Sequence, residues 1–356
     1  MRPLQGKVAI VAGATRGAGR GTARALGEAG ATVYCTGRST RGHASPYARP
    51  ETIEETAELV TAAGGTGIPV RVDHGVEAEV SELMARVERE QGRLDVLVNA
   101  VAGEDPLLGA WGSFWEIDAS IAEPAMRQLV VSHVITARHA VSLMIRARRG
   151  LIVELTGGDL IIGGAGGNMI HELAKSAQKA FVFLLAEELR THKVAAVGVT
   201  PGFLRSETML EHFGVTEANW RDAGAKDPHF LQSETPLFIG RAIAALAADR
   251  KVLARTGDVI ASWELAREYG ITDYDGRRPD WGTHFRDVVI PAMAWLRGGY
   301  ERYVAHLERS AARARGYLGG GGLGADPPAT GASPSRRSNS SRSRSRRPSG
   351  DASPTP

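Results

Sequence analysis

The sequence predicts an α/β fold in which a doubly wound parallel sheet of about seven strands carries helices on both faces. Two observations lead there. From residue 1 to about 262, short apolar runs alternate with longer stretches of helical periodicity, the pattern of strands joined by helical crossovers. A glycine-rich turn also follows the first apolar run and opens the first helix. In order, Lys7–Ala12 reads as a strand, Gly17–Ala29 as a helix and Ala31–Thr36 as the second strand. A helix over 51–63 leads to a strand over Gly67–Val72, a helix over Val76–Gln91 and a fourth strand over Leu94–Val98. A long helix is expected over Ala119–Arg148, broken early by Pro124. Gly150–Leu155 is the fifth strand, Asn168–His192 a helix and Val194–Thr200 the sixth strand. A helix over Pro236–Ala248 and a last strand over Asp258–Ser262 complete the sheet.

Beyond this domain, residues 1–262, an extension over 263–318 is expected to pack on the core. It includes a helix over Pro291–Arg315 that Gly298-Gly299 would interrupt. Residues 319–356 hold six arginines against two aspartates, which leaves that tail at +4 and the rest of the chain at −1. The tail is rich in Ser, Pro and Gly and poor in apolar side chains, so it cannot offset its ordering entropy by burial and reads as disordered. Its SRSRSRR run lacks interleaved aromatics, so a solvated tail is preferred over a nucleic-acid reader.

Composition narrows the function classes. A single cysteine, Cys35, excludes an intramolecular disulfide framework and a cysteine-cluster metal site. No uninterrupted apolar run approaches the length of a membrane helix, and the N-terminus lacks the pattern of a signal peptide. A cytoplasmic protein without metal, membrane or nucleic-acid partner is expected. His133, His139 and His192 lack metal-ligand spacing and read as surface or core residues.

The string VAIVAGATRGAGRG sets Gly13, Gly17 and Gly19 between a strand and a helix. Glycine there lets the backbone approach a pyrophosphate and places the diphosphate at the positive end of the helix, the device of a Rossmann-type fold. The place at the end of the second strand, where an acidic residue would hold a ribose 2′-hydroxyl, is taken by Gly37, followed by Arg38 and Ser39. Arg16 lies in the glycine loop on the same side. Two guanidinium groups favour a 2′-phosphate, so NADP(H) is expected over NAD(H).

The spacing G-x-x-x-G-x-G is where the chain comes to resemble the short-chain dehydrogenase/reductase family. Further landmarks follow in family order: RVDHG with Asp73, LVNAVAG with Asn99, and TPGFLRS with Pro201 and Gly202. HELAKSAQKAFVFLLAEELR resembles the family's Tyr-x-x-x-Lys helix, and SWELAREYGITDYDGRRP the C-terminal stretch of its dehydrogenase/reductase member 1 branch. The resemblance implies that Gly13, Thr15, Arg16, Gly17, Gly19, Arg38 and Ser39 contact the cofactor. It implies the same for Asp73 at the adenine edge, for Asn99, Pro201 and Gly202, for Ser206 on the diphosphate or carboxamide side, and for Lys175 at the nicotinamide ribose. It also implies pairing of subunits, as a homodimer or homotetramer, through the two long helices.

The reacting centre departs from the family pattern. Lys175 is kept, but His171 stands at the tyrosine position, Gly157 at the serine position and Leu129 at the asparagine position. Unreplaced, a general acid worth ~10²–10⁴ and an oxyanion donor worth ~10²–10³ would be lost. His171 is the candidate replacement, since an unperturbed imidazole titrates near ~6.5. Thr156 and Asp159 are close enough in sequence to supply the missing hydrogen bond. Trp111, Phe114 and Trp115, with Met209, Leu210 and Phe213, either cover a bulky apolar substrate or pack as helical core. Two functions follow. One is an NADP(H)-dependent oxidoreductase acting on an apolar carbonyl or alcohol through His171, Lys175 and Thr156. The other is a catalytically impaired NADP-binding protein acting as a sensor or oligomer partner.

Overall fold

The computed structural model describes residues 2–45, 49–102, 113, 115–157 and 169–319. Asp159, Trp111, Phe114 and the tail after residue 319 lie outside them. Seven parallel strands form one sheet in the order β3-β2-β1-β4-β5-β6-β7. They are β1 (Val8–Ala12), β2 (Thr32–Gly37), β3 (Thr66–Arg71), β4 (Val96–Asn99), β5 (Gly150–Leu155), β6 (Val194–Thr200) and β7 (Val259–Ala261). Each expected strand is present, within two residues at its ends.

Strand alternation divides the core into two layers. Ala9 and Val11 of β1 face one side, with Leu26 of α1 (Gly17–Glu28) and Val60 of α2 (Ile53–Ala62). Val8 and Ile10 face the other, with Leu83 and Val87 of α3 (Glu77–Gln91). A parallel strand buried on both faces reads as a continuous apolar run, which is why β1, β4 and β6 were legible. α2 starts on a capping box: the Thr52 hydroxyl accepts from the Glu55 amide, while the Glu55 carboxylate accepts from the Thr52 amide.

Pro124 does not break the long helix. After a 3₁₀ turn, it is the third residue of α4 (Ala122–Met126), where a missing N–H has no earlier carbonyl to lose. A π turn over Arg127–Val131 continues into α5 (Ser132–Ala147). The whole stretch Ala119–Ala147 is long and apolar enough to cross a membrane by length and composition. Its apolarity has a local use, since Ala137, Ala140, Leu143 and Met144 are buried against the sheet. α6 (Met169–Leu189) follows β5.

After β6 come α7 (Glu207–Phe213), two 3₁₀ turns over 220–232, and α8 (Pro236–Ala248). α8 packs on α1 through glycines: a Cβ at Gly21 would lie 2.0 Å from the Pro236 carbonyl oxygen, and one at Gly240 2.5 Å from that of Gly21. α9 (Ser262–Tyr269) buries Trp263 and Leu265. Three short segments follow, α10 (Trp281–His284), a π turn over Phe285–Val289 and α11 (Ile290–Ala292). The helical break expected at Gly298-Gly299 falls instead at Met293, whose backbone is extended, and α12 (Ala294–Gly319) runs through both glycines. An interior glycine costs a helix only ~1 kcal/mol, which a long helix absorbs. By its contacts the chain divides into units 1–306 and 307–356.

Candidate functional site

The strand order reverses between β1 and β4, and a cleft opens at their C-terminal ends, the place where doubly wound sheets bind ligands. Gly13 leaves β1 with φ +82°, and a Cβ there would sit 2.6 Å from the Ala100 carbonyl oxygen. A Cβ at Gly19 would lie 2.1 Å from the Gly13 carbonyl oxygen. Only glycine lets the start of α1 come this close to the sheet, and its leading amides are left without helical acceptors. Gly17, with φ +56°, donates its N–H to Glu207 Oε2 at 2.8 Å.

Six expected residues line this cleft: Gly13, Thr15, Arg16, Arg38, Ser39 and Asp73. Arg38 Nη1 stands 3.9 Å from Asp73 Oδ2, and Asp73 Oδ1 accepts from the Gly75 amide at 2.9 Å. At the end of β2 a Cβ on Gly37 would lie 2.7 Å from the Thr15 hydroxyl oxygen. No carboxylate can stand there unless Thr15 gives way. Ser45, His74, Val101 and Gln128 also line the cleft and were missed: the first three lie on loops without regular spacing, and Gln128 sits in the π turn of the long helix.

Asn99 is placed beneath the cleft and not in it. It is fully buried and donates to Glu154 Oε2 at 3.0 Å and to the His133 carbonyl at 3.3 Å. Glu154 Oε1 is hydrogen-bonded to His133 Nδ1, and His133 Nε2 donates to the Val101 carbonyl at 2.7 Å. His133 is a core residue, as expected, but with a carboxylate partner from β5 that helical spacing could not reveal. His74 sits between the Thr36 and Thr136 hydroxyls at 2.8 and 2.9 Å. Burial, reinforced by His133, pushes its pKa down to about 3, so it is neutral. Among the described residues no group of three or more His, Cys, Asp or Glu could hold a metal ion.

On α6, His171 and Lys175 are one turn apart and share a face. His171 is partly exposed, with Nδ1 3.8 Å from Glu172 Oε1, whereas Lys175 is 9% exposed. The Lys175 stem runs close to Gly157: its Cγ, Cδ and Cε all lie 3.3 Å from where a Cβ there would be. Thr156 is not positioned as the substitute. Its hydroxyl donates to the adjacent Gly157 carbonyl at 3.4 Å, and the residue is only 3% exposed. Leu129 is fully buried in the π turn, and its carbonyl accepts from Gln178 Nε2 of α6 at 2.7 Å.

After β6, Gly202 is fixed by packing, since a Cβ would lie 2.5 Å from Trp281 Cβ. Its N–H donates to Glu234 Oε2 at 3.0 Å, and the Ser262 hydroxyl donates to the same oxygen at 2.6 Å. Glu234 is buried, and that burial pushes its pKa up to about 8. Ser206 caps α7, accepting from the Met209 amide at 3.4 Å. Phe213 is buried, its ring 4.5 Å from that of Phe230, and Met209 and Leu210 pack on the same cluster. Core packing thus accounts for these three, while Trp115 is 74% exposed. Arg205 is a further anchor that was missed: its buried guanidinium pairs with Glu217 and stacks 4.0 Å over Trp220.

A glycine-tightened helix start over a parallel sheet, facing a cleft lined by Arg16, Arg38 and Ser39, has the form of a dinucleotide-binding α/β protein. Comparison makes this specific. Residues 7–214 match the family model for short chain dehydrogenases. The chain is 38% identical over 306 residues to dehydrogenase/reductase SDR family member 1 of Mus musculus, spanning 83% of this chain and 92% of that protein. The Homo sapiens protein of the same name is 36% identical over the same coverage. The crystal structure of YwfH, an NADPH-dependent reductase involved in bacilysin biosynthesis, superposes with a TM-score of 0.58 at 20% identity, over 72% of this chain and 96% of that one. This last likeness concerns the fold alone. The chain belongs to the short-chain dehydrogenase/reductase family, in its member 1 branch.

The raised Glu234 pKa gives a stability signature. The folded chain keeps this proton to a pH of about 8, whereas the unfolded chain releases it near the ordinary value of 4.5. Between those values the unfolded state binds fewer protons, so this group's contribution to stability falls as pH rises. Urea unfolding should show the parent losing stability from about pH 5 to about pH 8, by at most ~1.4 kcal/mol per pH unit from this group. Glu234→Gln should flatten that slope, and an unchanged slope would detach Glu234 from it.

Proposed function

We propose that the chain is an NADP(H)-dependent oxidoreductase interconverting a carbonyl and an alcohol on an apolar small-molecule substrate. Family membership supports an oxidoreductase using a nicotinamide cofactor. The observation that carries the NADP preference is the end of β2: Gly37 leaves no room for a carboxylate beside Thr15, while Arg16, Arg38 and Ser39 line the cleft there. A 2′-phosphate would meet guanidinium and hydroxyl donors, and the weak Arg38–Asp73 pair leaves Arg38 able to turn toward it.

The cofactor supplies the hydride. Of this chain's residues, the α1 amides and Thr15 take the phosphates, and Lys175 holds the nicotinamide ribose. His171, one turn before Lys175 and partly exposed, passes a proton to or from the substrate oxygen, directly or through a water. Gly157 offers no hydroxyl, so the oxygen loses the donor that a serine would give. A second reading, a cofactor-binding protein without turnover, is favoured by that same position, where the Lys175 stem runs close to Gly157.

Subunits are proposed to pair through α5 and α6. Val134 on α5, and Met169, Leu173, Phe183 and Leu184 on α6, are exposed, and those on α6 fall on one side of the helix.

Arg38→Asp should weaken NADPH binding at least tenfold while changing NADH binding by less than threefold, measured by fluorescence titration. Equal losses for both would mean that the 2′-phosphate is not read at Arg38. With a broad panel of carbonyl substrates and NADPH, His171→Ala should lower kcat by roughly 10²-fold or more and leave the NADPH Kd within twofold. A variant as active as the parent would remove His171 from the chemistry. An inert parent that gains activity on His171→Tyr would establish the second reading. Leu184→Glu should sediment as a smaller species than the parent if α6 pairs subunits, and an unchanged sedimentation coefficient would exclude that face.

A further inference from the structure

The amide that opens α1 already has an acidic partner. Gly17 donates its N–H to Glu207 Oε2 at 2.8 Å, and Glu207 is the first residue of α7, 190 positions further along the chain. This amide belongs to the glycine turn whose close approach to the sheet builds the phosphate seat. A carboxylate and a phosphate oxygen compete for the same donor, because each is an anion accepting a charge-assisted bond from a helix N-terminus. α7 is held at a second point as well. Glu211, one turn after Glu207, pairs with Arg49, which also bonds Glu51 at 3.1 Å just before α2. The two carboxylates of α7 therefore span from the start of α1 to the segment that follows β2.

We propose that Glu207 is an internal occupant of the phosphate seat and thereby sets the affinity for the dinucleotide. The proposal rests on the reading of the cleft as a dinucleotide site. The Glu207 carboxylate leaves the Gly17 amide as a diphosphate oxygen takes it, and binding bears the cost of that exchange. With the Glu207 contact gone, α7 stays attached through Glu211 and Arg49, so binding shifts one end of the helix while the other stays pinned. Free energy stored in the Glu207 contact is subtracted from the affinity, which is the general consequence of a competing closed state.

The test titrates NADPH into the parent, Glu207→Gln and Glu207→Asp. Glutamine keeps the length and loses the charge; aspartate keeps the charge and loses the reach to Gly17. Both variants should bind NADPH roughly threefold to tenfold more tightly than the parent. In the ligand-free proteins, hydrogen exchange over 207–213 should be faster in both variants, a readout that involves no cofactor. Equal or weaker NADPH affinity in both variants overturns the proposal. So does a gain confined to glutamine, because Glu207 would then act through its charge at a distance and not by occupying the seat. Absence of both NADPH and NADH binding in all three proteins overturns the dinucleotide reading and the proposal together, whereas binding by all three with one affinity overturns the proposal alone.

Discussion

The approach of α1 to the ends of β1 and β4 is the constraint on which the site depends. A methyl group at Gly13 or Gly19 would overlap backbone oxygens at 2.6 and 2.1 Å, distances that side-chain rotation cannot relieve. Because both positions are bare, the helix start faces the cleft floor at Ala100 and Val101. The same floor is braced from below by His133, whose ring holds the Val101 carbonyl and is itself held by Glu154, while Asn99 donates to Glu154 and to the His133 carbonyl. Steric permission above and a buried polar brace below fix one stretch of backbone from both sides. That stretch is where a ligand must lie.

Much of the fold was legible because its signals are local. β1, β4, β5 and β6 are buried along their whole length and read as apolar runs. The glycine turn was legible for the same reason, as were Arg38, Ser39 and Asp73 near the strand ends. What the sequence concealed depends on distant partners. Ser45 and His74 reach the cleft from irregular segments, Gln128 from a π turn that a plain α-helical reading does not reveal, and His133 draws its partner Glu154 from another element. Pro124 and Gly298-Gly299 misled because breaker residues act according to their position, and near a helix start proline is harmless.

The residues proposed for the reacting centre are closely packed. At Gly157 the Lys175 stem passes 3.3 Å from where a Cβ would stand, closer than ordinary van der Waals contact. The lysine is correspondingly buried, which restrains a side chain that otherwise carries large rotamer entropy. Leu129, at the asparagine position, keeps only a backbone role, its carbonyl tying the π turn to Gln178 of α6.

The contact between Gly37 and Thr15 has a consequence for anyone wishing to redirect the coenzyme. An aspartate introduced at position 37 would meet the Thr15 hydroxyl before it could reach a ribose. A smaller residue at position 15 has to come first or arrive together with it. On the proposed NADP(H) reading, redesign through position 37 therefore couples to position 15, and a library that varies one position at a time would pass over the combination.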